Sequence, residues 1–349
     1  MWICAAALCV AQQIPHDDEV RIAEGFRLAH RIEDKIWPGW SKAPFSVLLV
    51  TPDGEFLVNH PKQPDGFAKA GHSDLLNSDI YFRKRQFQPS FLATFPAVGD
   101  GIPVIVIGQP KNTEAKTSTP WVITFLHEHF HQLQYSQPDY QAGVAKLGLD
   151  RGDTSGMWML NYPFPYESQE VKAAFESLKN SLLVALVQKN DFEFKQKKSG
   201  FLKARERLLQ LLNDEDRRYF GFQLWQEGIA RYTQVKAAEA AARYQPTDEY
   251  RKLSDYESFT DYAKRAAEDT ERELRKADIA GWQRVVFYSY GACEGFFLDH
   301  SDRRWKRRYF EQKFNTNLYS KGTTDQPLTS RHSGMASHLL GRNTARGER

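Results

Sequence analysis

The chain has 349 residues, of which 41% are hydrophobic, and this is enough for one large domain or two subdomains with a genuine core. The formal net charge of +3 is small for this length and argues against a dedicated nucleic-acid-binding protein. Beyond the first dozen residues no apolar run is long enough to cross a bilayer, so we expect no stable membrane span.

Residues 1–11 form a short apolar segment of mostly small residues, which is followed by two glutamines and then by charged residues. This pattern is typical of the apolar core and cleavage site of a signal peptide, and it predicts a secreted or periplasmic protein that is cleaved after Ala11. A basic region before the apolar core is missing, which a truncated start would explain. The alternative is an N-terminal segment that is disordered or packed on the core. Cleavage would leave Cys293, in an apolar stretch that favours a buried, inert thiol.

Residues 12–135 are predicted to form a helix-and-sheet subdomain. Residues 17–36 have helical periodicity and are followed by a proline that would end the helix. Two hairpins come next, over residues 45–58 and 91–107, each with Asp and Gly at its turn. The second hairpin is rich in β-branched residues and has Pro103 at the start of its second strand. We therefore predict that it forms a sheet edge, where an extended peptide could add main-chain hydrogen bonds.

Residues 136–320 are predicted to form a mainly helical subdomain, so the expected fold class is α+β. The subdomain begins with a loop over residues 136–168, whose aromatic side chains either border a cleft or plug the helical half. Residues 321–349 are polar, and we predict that this tail is disordered. Helical periodicity covers the segments 170–243, 247–277 and 282–298.

The most informative stretch is residues 127–131, which read His-Glu-His-Phe-His inside a predicted helix. His127 and His131 are four positions apart and project from one helical face, so their imidazoles can converge on one zinc ion. Glu128 can then act as general base toward a metal-bound water. Apolar residues on both sides of the motif supply the face that would bury this helix. The alternative is a helix whose histidines are ordinary surface or core-edge residues.

A hydrolytic zinc site usually has a third protein ligand, and three downstream patterns were candidates. The metzincin class requires Gly and His where this chain has Gln134 and Gln137. Residues 322–325 resemble an aspartate-ligand motif, but they lack its continuation and lie in the polar tail. Glu227 lies in an apolar, helix-like segment, where an unpaired carboxylate would be costly, and we predict that it is the third ligand. The alternative is a carboxylate that pairs with Arg231.

Together these two segments resemble the gluzincin zinc peptidases of the thermolysin-like group, whose variants read HExxH and later Glu-Gly-x-Ala. The resemblance implies a zincin-like fold in which His127, His131 and Glu227 bind Zn²⁺. It also implies that Glu128 is the catalytic base. We expect Gly228 and the following small residue to let the helix of the third ligand approach the zinc helix closely.

Residues 288–292 read Tyr-Ser-Tyr-Gly-Ala and resemble the helix that follows the third ligand in such peptidases. A tyrosine commonly stabilises the oxyanion in gluzincins, so the resemblance implies this role for Tyr288 or Tyr290. Two positions apart on a helix, they face different ways, and at most one can serve. The alternative for each is a core aromatic residue.

The chain departs from the gluzincin pattern in two respects. The segment between the second histidine and Glu227 is long, which implies an inserted helical segment. Four residues after Glu227 stands Arg231, where many relatives have an aspartate that supports a zinc histidine. His129 points away from the two ligand histidines, so we expect it to have a supporting or surface position.

The function that follows is zinc-dependent hydrolysis of peptide bonds in a peptide or protein substrate. The competing hypothesis is a non-catalytic protein of zincin fold that binds a peptide or a partner. An intact set of three ligands and a base favours the enzyme. A structural zinc site is disfavoured, because such sites are dominated by cysteine ligands.

Overall fold

The computed structural model describes residues 12–188, 190–302 and 304–316. The predicted signal peptide at 1–11 and the predicted tail at 321–349, with its Thr-Thr-Asp pattern, lie outside the described residues. The described part is a mixed α+β fold, with one helix before a six-stranded sheet and a mostly helical part after it, which confirms the predicted class. In these ranges no helix combines the length and apolarity that a membrane crossing needs.

Six strands and a set of helices make up the described chain. The strands are β1 (Ser46–Val50), β2 (Glu55–Val58), β3 (Ala68–Ser73), β4 (Ser78–Arg83), β5 (Leu92–Phe95) and β6 (Val104–Gly108). The longer helices are α1 (His16–Ile36), α2 (Ser118–Tyr135), α5 (Gln169–Leu186), α6 (Asp191–Leu211), α7 (Asp214–Gln223), α8 (Ile229–Ala241), α10 (Phe259–Lys276) and α12 (Val286–Ser301). Short helices are α3 (Tyr140–Lys146), α4 (Trp158–Asn161), α9 (Asp248–Arg251), α11 (Ile279–Trp282) and α13 (Trp305–Glu311).

The strand order in the sheet is β3-β4-β2-β1-β6-β5, with β1 and β6 parallel and every other pair antiparallel. Both predicted hairpins are present, as β1–β2 and β5–β6. The prediction of an edge is right for β5 but wrong for β6, which lies between β1 and β5 and is fully buried. The proline before β6 therefore does not mark an edge strand.

The β3–β4 hairpin has no counterpart among the sequence predictions. β3 reads Ala-Lys-Ala-Gly-His-Ser, and most of its side chains are exposed. Its pairing with β4 also shifts register between Lys69 and Gly71. A polar strand with a bulge has neither the apolar alternation nor the regular spacing by which strands are found in a sequence.

The sheet presents alternate residues of its strands to two apolar layers, as expected for strands with a period of two. One layer, with Val47 and Ile105, joins the sheet to α1, to α2 and to the helical part in a single core. The opposite layer is smaller and contains Leu48 and Val106. In the first layer Trp121 of α2 donates from Nε1 to the carbonyl of Gly108, at 2.8 Å. Helix α2 is thus held against the end of β6.

The segment predicted as a loop, residues 136–168, contains α3 and α4 and is largely packed into the helical half. Of the two hypotheses for its aromatic residues, burial is the one observed. The buried aromatic residues are Tyr140, Trp158, Tyr162, Phe164 and Tyr166. Cys293 of α12 is also buried and free, as predicted, and burial raises the pKa of its thiol well above the usual value.

Helices α7 and α8 form one continuous helical path that is interrupted by a π turn over Leu224–Gly228. In this turn the N–H of Ile229 bonds to the carbonyl of Leu224, five residues earlier. A β-carbon on Gly228 would lie 2.6 Å from Cα of Gly291 on α12. Gly228 therefore permits close contact with α12, and the expectation that it adjoins the zinc helix is wrong.

We predict that Gly291→Ala destabilises the protein by roughly 1–3 kcal/mol, because the added methyl group meets backbone atoms of the π turn and both helices must shift. Gly200→Ala on α6 is the matched control, since Gly200 is exposed and a β-carbon there meets nothing within 4 Å. That substitution should be neutral or slightly stabilising. Urea unfolding of the three chains measures the difference, and equal midpoints for parent and Gly291→Ala would contradict the prediction.

Candidate metal centre

Helix α2 and the π turn bring three side chains to one point. Nε2 of His127 and Nε2 of His131 are 3.2 Å apart. Oε2 of Glu227 lies 3.5 Å from the His131 atom and 4.0 Å from the His127 atom. Both histidines are buried, and the ligand atoms of the three residues all lie within 4.8 Å of one another. These are the three side chains that the resemblance named as ligands.

The distances can be compared with what a zinc ion requires. Zinc binds imidazole nitrogen and carboxylate oxygen at about 2.0–2.2 Å in a tetrahedral arrangement, which places the ligand atoms about 3.3–3.5 Å apart. The observed separations of 3.2, 3.5 and 4.0 Å need only small side-chain movements to reach that value. Two imidazoles and one carboxylate are also a donor set that zinc accepts in hydrolytic sites. The residues present therefore fit the ion.

Gln134 orients the second histidine. Its Nε2 donates to the carbonyls of Trp225 and Gln226 in the π turn, at 2.9 and 3.0 Å. Its Oε1 therefore faces Nδ1 of His131, at 2.6 Å, and accepts the proton of that nitrogen. The amide nitrogen of Gln226 lies further from Nδ1, at 3.1 Å, so the shorter bond fixes the tautomer. Nε2 of His131 therefore faces His127 and Glu227, where a metal would bind after displacing its proton.

The hydrogen bonds that orient the ring of His127 are weaker than those of His131. Nδ1 of His127 is buried, and the side chain of Gln234 approaches it from α8 without a bond of good geometry. Arg231, where the gluzincin pattern has an aspartate, instead pairs with Glu273 of α10 at 2.6 Å. Arg231 is thus not the partner of Glu227, and glutamine side chains take the place of the aspartate.

The three side chains strongly affect one another's protonation. Burial lowers the pKa of His127 to about 3, and the charge of His131 acts in the same direction. Burial also acts to lower the pKa of His131, but the hydrogen bond and charge of Glu227 outweigh it and raise this pKa to about 9. Burial would raise the pKa of Glu227, but His131 outweighs it and lowers this pKa to about 2. Near neutral pH His131 is thus protonated and its Nε2–H faces the carboxylate of Glu227, so a metal ion bound there would displace that proton.

Glu128 is buried beside these ligands and contacts the edge strand. Oγ1 of Thr94, on β5, donates to Oε2 of Glu128 at 2.7 Å. Burial raises the pKa of Glu128, although the charge of His131 and the bond from Thr94 oppose the shift. One carboxylate oxygen is thereby held by the sheet, and the other is available to a reactant.

The two candidate tyrosines of α12 lie in different surroundings. Tyr288 is half-buried, and its ring is nearly parallel to that of His127, with centroids 6.3 Å apart. Tyr290 is fully buried and packs against Phe175 and Phe220 in the helical core. The structure therefore places Tyr288 at the site and turns Tyr290 away from it. The prediction that Tyr290 could be the oxyanion donor is wrong, because its ring lies in the helical core.

His129 also points away from the ligands, as expected, but it is buried rather than at the surface. Its ring stacks on Phe45, with centroids 3.5 Å apart. Nδ1 lies 2.9 Å from Oε1 of Gln132, and Nε2 lies 3.4 Å from Oε2 of Glu33. The amide nitrogen of Gln132 donates to carbonyls of the sheet part. This histidine therefore joins α2 to α1 and to the sheet.

Comparisons with protein-family models, with curated proteins and with solved structures give no match to this chain. The resemblance to gluzincins thus depends on residues 127–131, 227–230 and 288–292 and on the distances between them. The residue that sequence reasoning missed is Gln134, which it considered only as a mismatch to metzincins. Its spacing of three from His131 was the available signal, because side chains three apart adjoin on a helix.

We predict that Gln134→Leu weakens zinc binding by about tenfold to a hundredfold, because His131 loses the acceptor that orients its ring. Gln134→Glu keeps that acceptor and should retain most of the affinity, although it loses the donors to the π turn. Gln137→Leu, near the end of the same helix, is the matched control. Competition with a chromogenic chelator gives the affinities, and parental affinity in Gln134→Leu would refute the assigned role.

Proposed function

We propose that this chain is a zinc-dependent peptidase of the gluzincin type. The observation that carries the proposal is the convergence of ligand atoms from His127, His131 and Glu227 within 4.8 Å of one another, beside Glu128. Without a metal, the proton of His131 offsets the buried charge of Glu227, and a divalent cation can replace that proton. The spacing and the donor types favour zinc over other cations of hydrolases.

A zinc ion held there would lower the pKa of a bound water and polarise the carbonyl of a substrate. Glu128 would accept the proton of the attacking water and later deliver it to the leaving amine. The raised pKa of Glu128 suits this task, because it makes the carboxylate a stronger base toward the attacking water. The hydroxyl of Tyr288 would donate to the oxygen that becomes negatively charged.

The edge strand supports a peptide as the substrate. In the described sheet β5 is paired with β6 on one side and ends the strand order on the other. The same strand carries Thr94, whose hydroxyl touches Glu128. An extended peptide that paired with the open side of β5 would run past the base and the metal ligands, with its main chain held by hydrogen bonds.

The competing hypothesis of a non-catalytic binding protein gives no role to Glu128. A buried carboxylate with a raised pKa, next to three convergent acceptors, is costly in a protein that only binds a partner. A structural zinc is also disfavoured, because Cys293 is the only cysteine in the described part of the chain and it is buried in α12. The enzyme is therefore the function that these features favour. Export of the chain stays a prediction.

We predict that the purified protein binds about one zinc per chain and that Glu128→Gln keeps the metal but lowers peptide hydrolysis at least about a hundredfold. Gln has nearly the same shape but cannot accept the proton of water. Glu268→Gln, on the exposed side of α10, should hydrolyse at the parental rate. Elemental analysis and turnover of a quenched peptide library test this. A chain that takes up no metal, or a Glu128→Gln variant with parental turnover, would contradict the proposal.

We also predict that Tyr288→Phe lowers kcat roughly a hundredfold with unchanged zinc content, because an oxyanion donor is lost. Tyr290→Phe should leave kcat unchanged, since its ring lies in the core. Steady-state kinetics on the two variants separates the roles. Equal kcat values for both variants and the parent would remove tyrosine from the mechanism.

A further inference from the structure

A half-buried arginine adjoins the candidate metal centre and is not used by the mechanism. Arg284 lies in the short 3-10 turn Gln283–Val285 that leads into α12, one helical turn before Tyr288. Its NH1 donates to the hydroxyl oxygen of Tyr288 at 3.1 Å, and its guanidinium lies over the Tyr288 ring, 5.6 Å from the centroid. Because Tyr288 faces His127, this guanidinium is one side chain away from the metal ligands.

Arg284 lacks the carboxylate partner that several other inward-facing arginines have. Within the described ranges no carboxylate oxygen lies within 4.0 Å of its guanidinium. Glu227 interacts with this guanidinium only as a more distant charge. Most of its five N–H donors are therefore not used by protein groups. Four other buried or half-buried arginines each have a carboxylate partner, in the pairs Arg21–Asp18, Arg83–Glu55, Arg205–Glu294 and Arg231–Glu273.

The charge at the site also calls for an anion. With a divalent ion in place, the carboxylates of Glu227 and Glu128 offset the ion, and the charge of Arg284 remains. A single positive charge in a half-buried site favours an anionic ligand more strongly than the same charge in water.

The backbone before Arg284 is held in a strained conformation. Gln283 has φ 48° and ψ −131°, a region that non-glycine residues rarely adopt. Strain of this kind costs on the order of 1–3 kcal/mol and persists only where the surrounding structure fixes it, typically at functional sites. The turn therefore fixes the direction in which the Arg284 side chain leaves the backbone.

We propose that Arg284 binds a carboxylate of the substrate and so selects peptides that carry one at a fixed distance from the scissile bond. The inference rests on the proposed peptidase function. A guanidinium and a carboxylate match in shape and form two parallel hydrogen bonds. The carboxylate has two possible sources, the free C-terminus of a peptide and the side chain of Asp or Glu.

The test measures binding rather than turnover. The zinc-loaded Glu128→Gln chain is incubated with four randomised tetrapeptide pools, and bound peptides are identified by mass spectrometry after gel filtration. One pool has free C-termini and lacks acidic residues, and the second is its amidated form. The third is amidated and contains Asp and Glu, and the fourth replaces these with Asn and Gln. The first pair tests the C-terminal carboxylate and the second pair tests the side chain.

We expect the carboxylate-bearing pool of one pair to be enriched over its neutral counterpart. Adding Arg284→Gln should reduce this enrichment roughly tenfold to a hundredfold, since a hydrogen-bonded charge pair is lost. Arg284→Lys should keep part of it, because lysine retains the charge but not the paired donors. Arg218→Gln is the matched control. Arg218 is also half-buried, and it donates to the carbonyl of Leu147, in a different part of the helical half.

The proposal is overturned if neither pair shows enrichment, or if enrichment survives Arg284→Gln. It is also overturned if Arg284→Gln loses zinc while the preference for carboxylates is kept, because Arg284 would then act only as a counter-charge to Glu227. Failure of the peptidase proposal has a different signature. In that case the parental chain hydrolyses none of the four pools, whereas the Arg284-dependent preference is still measured in the binding experiment.

Discussion

The candidate metal centre depends on one side chain that joins the two halves of the molecule. In a regular α-helix the carbonyls of Trp225 and Gln226 would accept from N–H groups four residues later. The π turn changes that pattern, and the amide of Gln134 donates to both carbonyls. The same amide accepts from His131. Gln134 and the hydroxyl of Tyr309, which also donates to the carbonyl of Trp225, thus satisfy the irregular backbone beside Glu227, and Gln134 orients His131 as well.

The π turn explains how the carboxylate of Glu227 reaches helix α2. One extra residue in a turn rotates every later side chain by about 100° relative to those before it. Residues before Glu227 can therefore bury one face of α7 in the core. Residues after Glu227, in α8, pack against α2, α10 and α12. The aromatic residues around the turn, which include Trp225 and Tyr309 stacked 4.9 Å apart, keep water from its buried side. Such surroundings strengthen the electrostatic interactions of the site.

The range of the forces involved explains which features the sequence predicts and which features it does not predict. Helix α2, the two hairpins and the pairing of His127 with His131 depend on local periodicity, which a sequence displays directly. The position of Glu227 depends on a contact across more than ninety residues, and only its apolar setting and the resemblance pointed to it. Neither the π turn nor the choice of Tyr288 over Tyr290 has a local signature, because each depends on the phase of a helix against its neighbours. The polar β3–β4 hairpin was missed because its strands do not alternate.

One contact between backbones fixes the phase of α12 and therefore the groups that it presents to the site. Gly228 and Gly291 meet so closely that a β-carbon at either position would push the two backbones apart. Tyr288 precedes Gly291 by three positions and therefore shares its face of α12. Arg284 lies in the 3-10 turn before α12 and donates to the hydroxyl of Tyr288. The contact beside Glu227 thus turns Tyr288, with Arg284 bonded to it, toward the candidate ligands. Arg284 donates to the oxygen of Tyr288, and the hydroxyl proton of Tyr288 is directed at the carboxylate of Glu227, beside the position that a reactant would take.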